Sequence, residues 1–438
     1  MAAAESSLDR VIDDGRVTGQ QWLVVGLCML FNMLDGFDIT AMSVVASNVA
    51  GELALAPDQL GLIFSFALAG MMVGAMVLAP LSDLIGRRRV IIASVMVVGV
   101  SILFTAQATS LAEFIVLRLV SGLGAGAMLA TQATLAAEYS PDKYRALSVS
   151  AVTAGYPMGA MLTSVFAGII MPEYGWRGMF WFGGALTLLM GLVALAFIPE
   201  SLKYLAERRP KNALSRVNKI LSRLGREPLS QLPALAQTNE SRIGFGETLM
   251  LLLAPQYRRV TLTMWLIFFL CFATLYFLMS WIPKLVDDAG FSAGVGRQAF
   301  FLFNLGGVIG IFTLGLLATR LMLTNVVSTL IVVGAAGMVV YAFAPLNATL
   351  LLTIIFFVGI AMQGGFTGMY SAAAKAYPTS IRSTGIGWCI GLGRSGAVIG
   401  PYLAGLFIAA GLDMAQNFLL FAIPLAMGGI ISWTLKIR

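Results

Sequence analysis

The chain contains no histidine and only three cysteines, and charged residues fill just 11% of its 438 positions. Without imidazole, any proton exchange near neutral pH must rest on carboxylates. Cys28, Cys271 and Cys389 all lie inside apolar runs, which gives neither a disulfide framework nor metal-ligand spacing. A soluble domain carries about 25% charged residues. The deficit excludes an ordinary cytosolic enzyme, a disordered chain and a nucleic-acid binder. An integral-membrane enzyme is disfavoured too, because no metal-ligand cluster or nucleophile–base set is present; no cofactor or metal is expected. The opening stretch MAAAESSLDRVIDDGR is polar and acidic, unlike the basic start and cleavage site of a signal peptide.

What fills the chain instead is apolar sequence, 58% by residue. A membrane-crossing helix needs about 20 consecutive, mainly apolar residues. Twelve such runs occur, at about 20–46, 59–82, 89–107, 111–138, 146–170, 178–198, 260–283, 299–319, 324–343, 348–374, 384–410 and 415–435; they are numbered spans 1 to 12 below. They are too long and continuous for the alternation of a membrane β-barrel, which leaves helices to satisfy the backbone in lipid. The expected fold is therefore all-α and integral to the membrane: a tail (1–19), a six-helix bundle (20–198), a polar central loop (199–259) and a second six-helix bundle (260–438).

Of the 28 basic residues, only Arg177, Lys284 and Arg297 fall in segments outside the membrane when both termini are cytoplasmic, and Arg118 and Arg394 fall within spans. This is the positive-inside pattern. It explains the net charge of +7 by contact with anionic lipid, without nucleic acid.

The halves repeat. At an offset of 237, Pro141 and Arg145 recur as Pro378 and Arg382, Gly122 as Gly359, Gly159-Ala160 as Gly396-Ala397, and Ala167-Gly168 as Ala404-Gly405. Ala79 and the loop after span 2 fall on Gly315 and its successors at offset 236. Two related bundles joined by a loop are a transporter plan, with the substrate site near the midplane between them.

Asp83-x-x-Gly86-Arg87-Arg88-Arg89 after span 2 and Arg118-x-x-x-Gly122-x-Gly124-x-Gly126 in span 4 resemble signatures of the major facilitator superfamily. The first departs from that pattern at Ala79 and Leu84, and its second-half copy carries Thr319 at the acidic position. Asp35-Gly36-Phe37-Asp38 in span 1, together with Tyr377-Pro378-Thr379-x-x-Arg382-Ser383-Thr384-Gly385 and Gly393-Arg394-x-Gly396-Ala397, resembles its aromatic acid:proton symporter family. The resemblance covers essentially the whole chain. It implies a twelve-helix fold that takes up a benzoate-type acid with a proton by alternating access. It also implies a monomer in a bacterial inner membrane, with the lipid bilayer, the aromatic carboxylate and the proton as its partners.

Charge inside a span costs about 2.5–3.5 kcal/mol per residue on insertion scales, so Asp35, Asp38, Arg118 and Arg394 need a reason. At offset 237 the first three fall on Phe272, Leu275 and Ile355, and Arg394 on Pro157; the shared fold does not require them. Asp35 lies about 3 Å past the middle of span 1 and Asp38 about 7–8 Å, at 1.5 Å per residue, and their i, i+3 spacing puts them on one face. Arg118 lies at a depth where it can meet Asp38. These three are the proton-coupling candidates, with a static Asp38–Arg118 pair as the alternative. Arg394, near the centre of span 11, carries a fork suited to a carboxylate; the alternative is a bond to carbonyls loosened by nearby glycines. Tyr276, Asn304, Gln363, Tyr370 and Trp388 complete a candidate pocket, since a ring needs aromatic walls and a few polar groups. Asp83, Arg87, Glu138 and Arg145 sit at cytoplasmic span ends and are expected, with Arg382, to form a gate, which by resemblance latches the outward-facing state. The remaining central-loop charges, with Pro199-Glu200-Ser201, read as solvated or lipid-facing.

Other functions stay open. Within transport, the cargo could be another organic anion, or the chain an exporter of drugs or organic anions; antiporters of the resembled superfamily tend to carry a Gly-Pro-rich span 5, which Gly155-Tyr156-Pro157-Met158-Gly159 matches in part. A membrane receptor that binds an acid without moving it would need a signalling output, which neither the tails nor the loop resembles.

Overall fold

The computed structural model describes residues 12–13, 17–233, 250–343, 347–377 and 381–435. Pro378 and Thr379 of the signature stretch lie outside the described residues, as do Arg10, Arg16, Arg242, Lys436, Arg438 and the side chains of Arg382 and Ser383.

Eleven helices among the described residues are long and apolar enough to cross a bilayer. The helix Asp142–Phe197 has 56 residues and breaks at Gly175, where φ is 61° and ψ −167°. A straight helix of that length would run about 84 Å, against about 30 Å of hydrocarbon. Instead the chain folds back at Gly175, bringing the Phe166 and Phe182 rings to 4.7 Å. Two crossings come from this one element, so the crossings number twelve.

The ends of the helices follow local chemistry. Thr18 caps span 1 (Gly19–Leu53) in a capping box with Gln21. Asn347 caps span 10 (Ala348–Ala376) through the Leu350 N–H at 2.8 Å, and Asp413 with Gln416 caps span 12 (Met414–Trp433). Such side chains occupy N–H groups that the first helical turn leaves orphaned. Span 2 is less regular than its hydropathy suggests. After Pro57–Val73 it passes through a π turn at Gly74–Leu78 and a 3-10 turn at Ala79–Leu81. Span 7 starts at Pro255, five residues before the apolar run. Among the described residues, the central loop carries the helices Leu202–Arg208 and Ala213–Arg223. Val217 and Leu221 of the second are fully buried, so its apolar stripe packs on protein and leaves Lys219 and Arg223 exposed.

The repeat seen in sequence is a repeat of helix crossings. Gly70 of span 2 lies so close to span 4 that a Cβ there would meet Leu119 O at 2.3 Å; its counterpart Gly306 in span 8 would meet Phe356 O at 2.2 Å. Gly74 on Leu123 is repeated by Gly310 on Ile360, and Gly122 on Ala67 by Gly359 on Phe303. Small residues at these crossings allow backbone-to-backbone packing, the main attraction between helices when lipid is as apolar as the side chains. Within the bundles, span 1 packs on the Asp142–Phe197 helix as span 7 packs on span 11, and span 2 on span 4 as span 8 on span 10.

Between the halves, span 2 lies against span 11 (Arg382–Ala409), span 1 against span 7 (Pro255–Asp288), and the Asp142–Phe197 helix against span 8 (Ala293–Leu317). At the end that the basic residues assign to the outside, contact is intimate. Ser43 donates to Ser280 O at 2.8 Å and Ser65 to Val398 O at 2.6 Å. The Phe64 and Trp281 rings meet edge-on at 5.3 Å. Gly405 and Gly61 leave no room between them, since a Cβ on Gly405 would lie 3.1 Å from the Gly61 Cα. Ser43 and Ser280 are themselves repeat partners at offset 237.

The tightest crossing is that of spans 1 and 5, where a Cβ on Gly159 would lie 1.9 Å from Met33 O. Gly159→Leu is expected to cost at least the roughly 1–3 kcal/mol of core overpacking. The check is the melting temperature of the purified protein; an unchanged value would mean the two helices can slide apart freely.

Candidate functional site

Span 1 carries Asp35 and Asp38 on either side of the point where it touches span 5. A Cβ on Gly36 would fall 2.1 Å from Tyr156 O, so glycine is what lets the two backbones meet. The contact seats Tyr156 beside Asp35.

Asp38 and Arg118 form a buried ion pair. Arg118 Nη1 lies 2.9 Å from Asp38 Oδ1 and donates to the Asp38 carbonyl at 3.2 Å, and Nη2 reaches Thr105 Oγ1 at 3.4 Å. The guanidinium also stands 5.2 Å above the Phe180 ring. Both side chains are about 1% exposed or less. The pair is not saturated: Asp38 Oδ2 and Arg118 Nε have no hydrogen-bond partner. At the repeat positions the second half buries Phe272, Leu275 and Ile355, so the first half puts charge where its twin has apolar side chains.

Asp35 is fully buried, and neither carboxylate oxygen has a hydrogen-bond partner. It lies within Coulombic range of Asp38 on its own helix and of Arg394 across the interface between the halves. Arg394 is 8% exposed. Among the described residues it makes no ion pair, and no hydrogen bond to the carbonyls of its glycine-rich helix; its Nε is buried without a partner. Gly393, beside it, lets Phe268 and Phe272 close over span 11: a Cβ there would meet the Phe272 ring at 2.7 Å.

Around Arg394 the second half supplies aromatic walls. Tyr276 stacks on Phe272 at 6.0 Å, Phe366 meets Phe272 edge-on at 4.7 Å, and Tyr370 meets Phe268 and Phe366 edge-on at 5.5 Å each. Arg394 lies within electrostatic range of Tyr156, Tyr276 and Tyr370. The Tyr156 and Tyr276 hydroxyls approach each other, yet the Tyr156 hydroxyl is buried without a bond of good geometry.

The other pocket candidates each make contacts of their own. Gln363 donates to Phe303 O at 3.3 Å and covers Gly307, where a Cβ would meet its Cδ at 2.2 Å. In the first half the corresponding crossing has Gly126 against Met71, so glycine and the larger side chain have changed places and Gln363 fills a helix-packing position. Asn304 donates to Phe300 O of its own helix at 2.9 Å, leaving a buried Oδ1 without a partner. Trp388 pairs with Trp265 at 5.8 Å, about 9 Å along span 11 from Arg394 at 1.5 Å per residue.

Of the gate residues, Arg87 binds Asp83 at 2.7 Å and Glu138 at 3.3 Å. Arg145 does not join them. It pairs with Asp142 one turn away, and both are substantially exposed; a short i, i+3 reach on the same helix takes precedence over the distant cluster. Arg382 opens span 11, its side chain outside the described residues. Glu200, expected to be solvated, is 5% exposed. Its Oε1 accepts from the Arg88 and Ser201 backbone N–H groups at 3.0 Å each, while its carbonyl accepts from the Tyr139 hydroxyl at 2.7 Å. Arg88 in turn donates to the Ile198 and Leu195 carbonyls at 2.8 and 2.6 Å. The loop between spans 2 and 3 is thus tied to the ends of spans 4 and 6 within one half.

Comparison with known proteins follows the same lines. The family model described as Major Facilitator Superfamily matches residues 28–346 and 264–438. The 4-hydroxybenzoate transporter PcaK of Pseudomonas putida is 30% identical, over 98% of this chain and 97% of that protein. The benzoate transport protein of Acinetobacter baylyi is 29% identical, over 97% and 91%. Among solved structures, a D-xylose-proton symporter superposes with a TM-score of 0.73 at 16% identity, covering 95% of this chain and 97% of the other.

Proposed function

The chain belongs to the Major Facilitator Superfamily, and from that premise we propose that it imports an aromatic carboxylate together with a proton. One observation carries this reading: Asp35 and Arg394 are both buried and, among the described residues, both unpaired, on opposite halves, within Coulombic range of one another. An uncompensated buried charge costs several kcal/mol. A ligand carboxylate on Arg394 would satisfy the guanidinium with two parallel bonds. A proton on Asp35 would remove the opposing negative charge as that anion arrives. The aromatic side chains of spans 7 and 10 suit the ring of such an acid. The similarity to 4-hydroxybenzoate and benzoate transporters supports the same class of substrate.

Coupling one proton to one monoanion is electroneutral. An anion entering a cell negative inside opposes about 2.3 kcal/mol per 100 mV, and the proton cancels that term. For alternating access, the contacts of Ser43, Ser65, Phe64 and Gly61 with spans 7 and 11 would part to open the site outward. The Asp83–Arg87–Glu138 cluster, with Glu200 and Arg88, would hold the cytoplasmic ends of the first half as one body while they do. The positive-inside distribution supports cytoplasmic termini in a bacterial inner membrane, and nothing in the mechanism requires more than one copy.

The test is uptake of labelled 4-hydroxybenzoate into proteoliposomes with an imposed pH gradient, alkaline inside. Accumulation should rise about tenfold per pH unit, the equivalent of about 1.36 kcal/mol, collapse with an uncoupler, and carry no net current. Equilibration without accumulation would reduce the protein to a facilitator, and inward current would overturn the one-to-one ratio.

A further inference from the structure

Tyr156 is seated by backbone contact between spans 1 and 5: its carbonyl and Cα press on Gly36, while its hydroxyl is buried with no hydrogen bond of good geometry. The phenol faces Asp35 on its own half and Tyr276 and Arg394 on the other. A buried hydroxyl left unbonded costs free energy that a bonding partner recovers. The carboxylate of an aromatic acid has its own partner in Arg394, so what Tyr156 lacks is a second, neutral polar group from the ligand. Phe272 and Phe366, which meet edge-on beside Tyr276, offer an apolar surface to the ring that would carry such a group.

We propose that Tyr156 reads a ring hydroxyl of the substrate, so that the chain selects hydroxylated aromatic acids over their unsubstituted parents. This rests on the aromatic-acid reading above and adds to it the residue that sets ring specificity. With benzoate bound, the Tyr156 hydroxyl keeps only the loose approach of the Tyr276 hydroxyl; with a hydroxybenzoate it gains the ring oxygen as a well-aligned partner. A site built around such a bond discriminates against the analogue that lacks it.

The experiment is direct binding of 4-hydroxybenzoate and benzoate to the purified full chain, wild type and Tyr156→Phe. The wild type should bind 4-hydroxybenzoate at least about tenfold more tightly than benzoate, the size of one net hydrogen bond. In Tyr156→Phe the ratio should fall towards one, partly because benzoate binds more tightly once the poorly bonded hydroxyl is gone. That gain is a result that simple damage to the fold would not produce. An unchanged ratio in the variant, an equal weakening of both acids, or a wild type without preference would overturn the role of Tyr156 while leaving the aromatic-acid reading in place. Binding of neither acid to the wild type would overturn both.

Discussion

Asp38→Asn and Arg118→Met are each expected to destabilise the protein by about 3–5 kcal/mol and to abolish coupled uptake. Each leaves its partner as an uncompensated buried charge. The Asp38–Arg118 pair is shut from solvent, at 2.9 Å, and its remaining lone pairs and protons are only partly met. Replacing both members of a buried pair by apolar residues is often neutral or stabilising, unlike removing one. This chain contains its own design for that replacement, because the repeat positions are Leu275 and Ile355, both buried. Asp38→Leu combined with Arg118→Ile should therefore regain most of the thermal stability lost by the single variants. It should not regain accumulation of substrate against its gradient. Melting temperatures and proteoliposome uptake of the three variants decide the matter. A double variant that is both stable and fully coupled would make the pair structural and remove it from the proton path.

The repeat is also why so much of the fold was legible in the sequence. Twelve apolar runs and a fixed offset set the architecture, because in lipid a run of that length has one viable conformation. Crossings such as Gly70 with Leu119 and Gly306 with Phe356 follow the repeat, with the span 2 glycines at offset 236 and their span 4 partners at 237. What hydropathy could not reveal is backbone geometry. The link between spans 5 and 6, with Arg177, reads only as an outside segment, yet the chain reverses at one positive-φ residue, Gly175, with helix on both sides of it. The π turn of span 2 is equally silent in composition.

The candidate site divides in the same way. Intramembrane charge stands out in any sequence by its cost, so Asp35, Asp38, Arg118 and Arg394 were legible as residues to be explained. Partner choice was not, since it depends on distances of an ångström or so. Arg145 turned to Asp142 and Gln363 to helix packing, whereas Glu200, itself buried, accepts from the Arg88 backbone N–H. Tyr156 was read only as part of a Gly-Pro stretch. The signal that could have found it is the set of small residues on two helices, Gly36 packing on Tyr156 and Gly155 and Gly159 packing on Met29 and Met33, which brings the backbones of spans 1 and 5 together beside Asp35.

Arg394→Lys and Asp35→Asn are expected to fail in different ways, and the contrast distinguishes binding from coupling. Lysine keeps the charge of Arg394 but not the planar fork, and is a poor substitute where recognition is bidentate. Apparent affinity for the carboxylate should drop about tenfold to a hundredfold, the loss of one charge-assisted hydrogen bond, with accumulation intact at saturating substrate. Asparagine at position 35 removes the proton acceptor and also the anion that competes for Arg394. Affinity should hold or improve, whereas gradient-driven accumulation should fall to simple equilibration. Exchange of labelled for unlabelled acid across the membrane should continue, because exchange needs no net proton movement. The measurements are concentration dependence of uptake, steady-state accumulation under a one-unit pH gradient, and counterflow. If Asp35→Asn still accumulates substrate about tenfold under that gradient, the coupled proton rides on another group, and Asp38 with its unsatisfied Oδ2 becomes the remaining carboxylate of this span that can carry it. If Arg394→Lys leaves the affinity unchanged, the guanidinium packs the helix and the acid is held elsewhere.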